Sequence, residues 1–159
     1  MLNGFSKLYA MTGWRLGYLI APKQYIRTLQ KIQQNLFIST NTFVQYVGIA
    51  ALEGPQEQIK EMIETYNKRR LYLIKRLKDI GFGVKTEPKG AYYVLADARK
   101  FENDSLKLSR KILEDIGVAV TPGIDFGQGA EGYLRFSYAN SLENIKECME
   151  RLEGYLKSQ

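Results

Sequence analysis

The chain has 159 residues, of which 45% are hydrophobic and 25% are charged, a composition typical of a globular protein with one core or slightly more. It contains no histidine and one cysteine, which excludes Ser-His-Asp and Cys-His catalytic groups, the commonest metal ligand and any intrachain disulfide. Lysine and arginine exceed the acidic residues by 23 to 17, and the resulting net charge of +6 favours anionic small molecules as ligands.

The sequence argues against three further classes of protein: nucleic-acid-binding, membrane-spanning and secreted proteins. The basic residues are scattered among glutamates instead of clustering with aromatic residues, so nucleic-acid binding is not predicted. No segment approaches the ~18 consecutive apolar residues that cross a bilayer. The N-terminal residues lack the pattern of a secretory signal. We therefore expect a cytoplasmic protein with neither a membrane segment nor a metal site.

The first third of the chain has the pattern of one strand followed by helices. Residues 13–21 form an apolar run closed by Pro22, which predicts a short buried strand. Helical spacing predicts a helix over 23–37, and the polar stretch Ser39–Thr42 offers N-cap candidates for a second helix that Gly54-Pro55 ends. No upstream strand is visible to pair with the first one, so this part of the chain looks unfinished.

The strongest periodic pattern extends over residues 56–80. Its apolar residues fall close to one stripe, lysine and glutamate cover the remaining surface, and Gly81 stops it. An amphipathic helix of this length is typical of a domain boundary. We therefore predict one domain over residues 1–54 and a second over 55–159.

After this helix the pattern becomes an alternation of strands and helices. Four short strands are predicted, at residues 83–87, 91–96, 118–121 and 133–138. One helix is predicted to be capped by Ser105 and ended by Gly117, and the last helix to open with a capping box of Asn140 and Glu143. The fold class is therefore α/β, with the second domain an α+β unit in which helices cover a small mixed or antiparallel sheet.

The segment Ser6–Tyr18 combines residue types that suit a phosphorylated carbonyl compound. A lysine such as Lys7 can form an imine with a carbonyl. Ser6 and Arg15 can both donate to a phosphate dianion, and Gly13 lets the backbone pass close to a ligand. Spacing alone leaves open the plain alternative of a surface lysine and an arginine that pairs with a carboxylate.

The string SKLYAMTGWRLGY, residues 6–18, resembles the cofactor-attachment signature of class I/II aminotransferases, which are fold type I enzymes that use pyridoxal 5'-phosphate (PLP). The resemblance implies that Lys7 binds PLP covalently and moves the substrate proton. It also implies that Ser6 and Arg15 bind the PLP phosphate. The stretch AMTGWR between lysine and arginine favours this branch over aminocyclopropane-carboxylate synthases.

Later segments resemble the substrate side of the same family. The strand YLRFSYA, residues 133–139, resembles the one whose arginine binds the substrate α-carboxylate, which implies that role for Arg135. The turn PKGAYY, residues 88–93, resembles one that lines the substrate, which implies roles for Gly90 and Tyr92. For isolated residues, a salt bridge, a tight turn or a strand core would be the alternatives. Ser39–Asn41 matches a stretch that reaches the partner subunit's phosphate in family homodimers.

The resemblance covers the chain but only the C-terminal portion of a typical member. It implies that residues 1–54 are a remnant of the large PLP-binding domain and that 55–159 form the small domain. The groups that hold the PLP ring would lie upstream, so we expect these 159 residues alone to be weakly active or inactive. The parent reaction would transfer an amino group between an amino acid and a 2-oxo acid.

Two alternatives to an aminotransferase remain open at this point. The chain could be a non-enzymatic assembly fragment that pairs with itself or with an N-terminal part. It could also derive from another fold type I PLP enzyme, such as a C–S lyase or a decarboxylase.

Overall fold

The computed structural model describes residues 1–158, which divide into two compact units, one of Met1–Glu61 and one that begins at Met62. The long helix predicted from periodicity is confirmed as α3 (Glu57–Ile80). The division between the two units lies inside this helix. The helix ends at Gly81, whose φ of 111° few other residues adopt. Within residues 1–158 no helix combines the length and apolarity that a membrane crossing requires.

The first unit contains a small sheet and two helices. Its elements are β1 (Leu2–Gly4), β2 (Gly17–Leu19), α1 (Lys23–Phe37) and α2 (Thr42–Glu53). Both helices confirm the periodicity of the sequence. Asn41 caps α2, because its side-chain oxygen accepts a hydrogen bond from the Phe43 amide at 3.2 Å.

The predicted buried strand over residues 13–21 is wrong in length and in burial. A 3-10 helix occupies Thr12–Trp14, and β2 keeps three residues, two of them exposed. β2 also has an antiparallel partner, β1, with Gly4 opposite Gly17. The sequence did not reveal this partner because the three residues of β1 are too few to show an alternating pattern.

The second unit is built on a three-stranded antiparallel sheet with β5 in the centre. Its elements are β3 (Tyr93–Asp97), α4 (Ser105–Ile116), β4 (Thr121–Pro122), β5 (Tyr133–Ser137) and α5 (Leu142–Lys157). Helix residues such as Leu77, Ile112 and Met149 bury one face of the sheet. This arrangement confirms the α+β prediction, and it leaves the face that carries Arg135 without that cover.

The sequence overestimated the amount of strand in this unit. Residues 83–87 contribute a single bridge, between Gly83 and Asp97, and the strand predicted over 118–121 is confined to Thr121–Pro122. Val118 is nevertheless buried. The alternation of apolar residues therefore indicated which side chains are buried. The sequence does not show whether such residues also form hydrogen bonds with a neighbouring strand.

The start of α4 lies one residue earlier than predicted. Asp104, not Ser105, is the N-cap, and its carboxylate accepts a hydrogen bond from the Lys107 amide at 2.9 Å. Ser105 is the first helical residue and is fully buried, where its hydroxyl accepts a hydrogen bond from the Ile124 amide at 3.2 Å. Gly117 ends the helix with a φ of 67°, as predicted.

The predicted capping box at the start of α5 is also displaced by one residue. Ser141 is the N-cap and accepts a hydrogen bond from the Asn144 amide at 3.1 Å. Asn140 instead accepts from the side-chain amide of Asn144 at 2.9 Å. Glu143 is the second helical residue, a position where a carboxylate interacts favourably with the helix dipole.

The cap of α4 gives a direct test of these boundaries. Replacing Asp104 by alanine removes the acceptor for the Lys107 amide, so we expect the free energy of unfolding to fall by about 1 kcal/mol. Asparagine caps as well as aspartate does, so Asp104→Asn should stay close to the unsubstituted protein. Urea titration followed by circular dichroism measures both. An equal loss in the two variants would assign the effect to the charge instead of the cap.

Candidate active site

A turn directly after β1 carries the predicted lysine. The Tyr9 amide donates to the Phe5 carbonyl and the Ala10 amide to the Lys7 carbonyl, both at 3.2 Å. The turn is anchored by two buried side chains, since Phe5 is 4% exposed and Met11 6% exposed. Lys7 itself is exposed and Ser6 is half-buried. The local sequence therefore fixes the backbone of a turn on which Lys7 is an exposed residue.

The pairing of β1 with β2 brings the three predicted residues of this unit to one end of the hairpin. The ladder ends with Gly4 opposite Gly17, and the Phe5 amide then donates to the Leu16 carbonyl at 3.2 Å. Ser6 and Lys7 leave the ladder at the end where Arg15 enters it. The number of residues between Lys7 and Arg15 did not by itself require them to lie at the same end of the hairpin.

Arg15 is held in an unusual backbone conformation at this end. Its φ of 52° and ψ of 44° are left-handed, and Ala10 also has a φ of 52°. Such conformations cost a non-glycine residue on the order of 1 kcal/mol or more and concentrate at functional sites. One guanidinium nitrogen donates to the Thr12 carbonyl at 3.2 Å, and within residues 1–158 Arg15 forms no ion pair. Its other donors remain available for an anion.

These groups fit a phosphorylated aldehyde such as PLP. A hydroxyl and a guanidinium can donate to the phosphate oxygens, and a primary amine can react with the aldehyde. The carboxylate partner that the plain structural alternative requires for Arg15 is absent from the described part of the chain.

The polar stretch before α2 has local structural partners. The Thr40 hydroxyl accepts a hydrogen bond from Gln33 at 3.3 Å, and Asn41 caps the helix. Ser39 is exposed. The contact predicted between Ser39–Asn41 and the phosphate of a partner subunit stays a prediction.

In the second unit, Arg135 projects from β5, on the sheet face opposite the helices. Its register neighbours are Leu95 on β3 and Thr121 on β4. One guanidinium nitrogen donates to the Thr121 hydroxyl at 3.1 Å. The guanidinium carbon lies 4.3 Å from the centre of the Tyr93 ring and 4.8 Å from that of the Phe126 ring.

Arg135 lacks the partner that a structural arginine would have. No carboxylate within residues 1–158 forms an ion pair with it, and its buried Nε has no hydrogen-bond acceptor there. The nearby Arg99 is different, because it pairs with Asp97 through Nε–H at 2.9 Å and lowers the pKa of that carboxyl to about 2. A buried charged donor without an acceptor is costly, which favours an anionic ligand at Arg135.

The turn with Gly90 and Tyr92 has a structural role that the sequence analysis only partly described. The Tyr92 ring is half-buried and stacks on Tyr66, with the ring centres 5.8 Å apart. The left-handed residue of the turn is Ala91, with a φ of 57°, and its carbonyl accepts a hydrogen bond from the Tyr138 hydroxyl at 3.1 Å. Gly90 has no other atom within 4 Å of the position of an added Cβ, so space beside it is open.

Three residues around Arg135 were missed by the sequence analysis: Thr121, Tyr93 and Phe126. Tyr93 and Thr121 come from the strands on either side of β5, and Phe126 follows β4 in a 3-10 helix, Gly123–Phe126. The available signal was an aromatic residue between the glycines of the loop TPGIDFG. It could not be interpreted without the register of the sheet.

The sequence of the whole chain matches known aminotransferases. Residues 1–152 match the family described as aminotransferase class I and II. The (5-formylfuran-3-yl)methyl phosphate transaminase of Methanocaldococcus jannaschii is 46% identical over 157 residues, which cover 98% of this chain and 41% of the relative. An aspartate aminotransferase of Pyrococcus horikoshii is 43% identical over 162 residues, with 100% and 41% covered.

The three-dimensional structure matches as closely. The crystal structure of an aromatic aminotransferase from Pyrococcus horikoshii has a TM-score of 0.92 at 41% identity, and the match covers 99% of this chain and 42% of that one. The chain thus spans about two fifths of the length of the relatives it matches. These matches confirm the family resemblance and the fold type I assignment inferred from residues 6–18. The chain belongs to the class I and II aminotransferases.

Proposed function

We propose that the chain is the C-terminal part of a PLP-dependent aminotransferase that transfers an amino group between an amino acid and a 2-oxo acid. The observation that carries this proposal is the state of Arg135: a guanidinium beside two aromatic rings, without a carboxylate partner in residues 1–158 and with a buried Nε that lacks an acceptor. An α-carboxylate, which amino acids and 2-oxo acids share, supplies the acceptors that Arg135 lacks.

The first unit would hold the cofactor. PLP, when bound, supplies the electron sink for the electrons released at the substrate Cα. Lys7 would bind it covalently and would move the proton at that carbon, a role that suits an exposed lysine on a turn with a hydrogen-bonded backbone. Ser6 and Arg15 donate to the phosphate. The open space beside Gly90 supports substrate approach there, whereas the Tyr92 ring contacts the rings of Tyr66 and Tyr93.

The domain and partner assignments are part of the same proposal. Residues 1–54 belong to the large domain and 55–159 to the small domain, and the active protein is a cytoplasmic homodimer or pairs this part with an N-terminal part. The exposed apolar residues of the first unit support such pairing, since Leu36, Phe37 and Ile38 are 67%, 73% and 83% exposed. The same exposure also favours a second candidate function, a non-enzymatic assembly fragment.

Carboxylate binding by Arg135 tests the proposal without requiring activity. Acetate is titrated into the 159-residue chain labelled with nitrogen-15, and the amide signals of residues 133–137 are followed. We expect Arg135→Lys to weaken acetate binding about tenfold, because lysine cannot reproduce the two-donor geometry. The matched control is Arg99→Lys, because Arg99 already pairs with Asp97 and its replacement should leave acetate binding unchanged. Equal affinity in the Arg135→Lys variant and the unsubstituted chain would refute the proposed role.

A further inference from the structure

Arg135 must be held in one orientation to bind a carboxylate, and the carboxylate role alone does not explain what holds it. An arginine side chain loses rotamer freedom when it is fixed in one geometry. Proteins often fix arginine with an acidic neighbour, as Asp97 fixes Arg99 here. A carboxylate on Arg135 would occupy the donors that a ligand needs, so the protein must hold this side chain by other means.

Two aromatic rings meet that requirement. The Tyr93 and Phe126 rings contact the Arg135 guanidinium from elements on opposite sides of β5, with centres 4.3 and 4.8 Å from its central carbon. Ring contacts of this kind attract the cation without accepting its N–H donors in strong hydrogen bonds. The charge is therefore held in place but not neutralised.

The Phe126 ring lies outside the core of the second unit. It is 51% exposed and is not among the residues packed against the core of the second unit. Its ring contact within residues 1–158 is with Arg135. The position of the ring is therefore explained by its contact with the Arg135 guanidinium, because packing of the core does not require it.

The loop around Phe126 is fixed, so that the ring is presented at a defined place. The Gly127 amide donates to the Ile124 carbonyl at 2.9 Å, and the Ile124 amide donates to the buried Ser105 hydroxyl at 3.2 Å. Gly123, at the start of the loop, is buried. Phe126 thus projects from a short helical turn that is tied to α4 on one side and follows β4 on the other.

We infer that Phe126 is a positioning residue for carboxylate recognition, which acts by stacking on the Arg135 guanidinium together with Tyr93. This inference rests on the proposed carboxylate role of Arg135. The ring keeps the guanidinium oriented and partly shielded from water, which strengthens its hydrogen bonds to an anion. Ligand recognition at this site therefore depends on a residue that need not contact the ligand.

The acetate titration of the 159-residue chain tests this inference with one further set of variants. We expect Phe126→Ala to weaken acetate binding about threefold to tenfold, a loss in the range of one cation–π contact. It should also shift the Arg135 Nε–H signal, because the neighbouring ring current disappears. Phe126→Tyr should restore both properties, which a merely structural role for the loop would not predict. The matched control is Phe43→Ala, which removes a similarly exposed ring that contacts Trp14 instead.

The outcomes separate this inference from the proposed function. Unchanged acetate affinity in Phe126→Ala, together with a loss in Arg135→Lys, would overturn the positioning role and leave the carboxylate role standing. Unchanged affinity in Arg135→Lys would overturn both. A loss in Phe126→Ala that tyrosine does not restore would also contradict the stacking mechanism.

Discussion

Lys7 is expected to react with PLP in preference to the other exposed lysines of the chain. Ser6 and Arg15 lie at the same end of the β1–β2 hairpin, where both could bind the phosphate while the Lys7 amine reacts with the aldehyde. Each charge-assisted hydrogen bond to the phosphate contributes about 1.5–3 kcal/mol, so labelling should be at least about tenfold faster than at Lys89, an exposed lysine of the second unit. Brief exposure to PLP, borohydride reduction and peptide mass spectrometry measure the preference.

The controls for this experiment separate phosphate binding from simple exposure. Pyridoxal, which lacks the phosphate, should label Lys7 and Lys89 at similar rates. Arg15→Gln should reduce the preference for PLP, and Lys7→Ala should remove that site from the labelled peptides without raising labelling elsewhere. Uniform labelling of the exposed lysines by PLP would contradict a preformed cofactor site in these residues and favour the assembly alternative.

The residues of the first unit could be predicted because their chemistry lies within one short segment. The signature contains Ser6, Lys7 and Arg15 within ten residues, and no long-range information is needed to recognise it. What the sequence did not show was β1 and the left-handed backbone at Ala10 and Arg15. The strands of this hairpin have three residues each, which is too few to show an alternating pattern, and a pattern of hydrophobicity does not report backbone angles in a turn.

The surroundings of Arg135 were out of reach for a different reason. Tyr93, Thr121 and Phe126 come from separate elements, and they meet at Arg135 only because β5 lies between β3 and β4. A single sequence gives strand positions but not their order or register. The predicted N-cap of α4 was wrong by one residue, because Asp104 and Ser105 are both good capping residues and the sequence does not distinguish between such neighbours.

The loop that links β4 to β5 is expected to depend on Gly123 more than on any of its other glycines. A Cβ at this position would lie 1.9 Å from the Ala130 carbonyl oxygen and 2.7 Å from that of Tyr133. Both are backbone atoms, so the clash cannot be relieved by a side-chain rotation. We expect Gly123→Ala to lower the free energy of unfolding by about 3 kcal/mol, at the upper end of the usual cost of overpacking. The urea midpoint of the second unit measures the loss.

Gly129 supplies the matched control, because it lies in the same loop with no other atom within 4 Å of an added Cβ and without a positive φ. Gly129→Ala should therefore be neutral or slightly stabilising, since alanine restricts the unfolded chain. The two variants should also differ at the site. Gly123 is the first residue of the helical turn that ends in Phe126, so its replacement should weaken acetate binding at Arg135 under conditions where the chain is still folded. Equal effects of the two substitutions on stability would contradict the close packing of Gly123. A destabilised variant with unchanged acetate binding would instead show that Arg135 keeps its orientation without this loop.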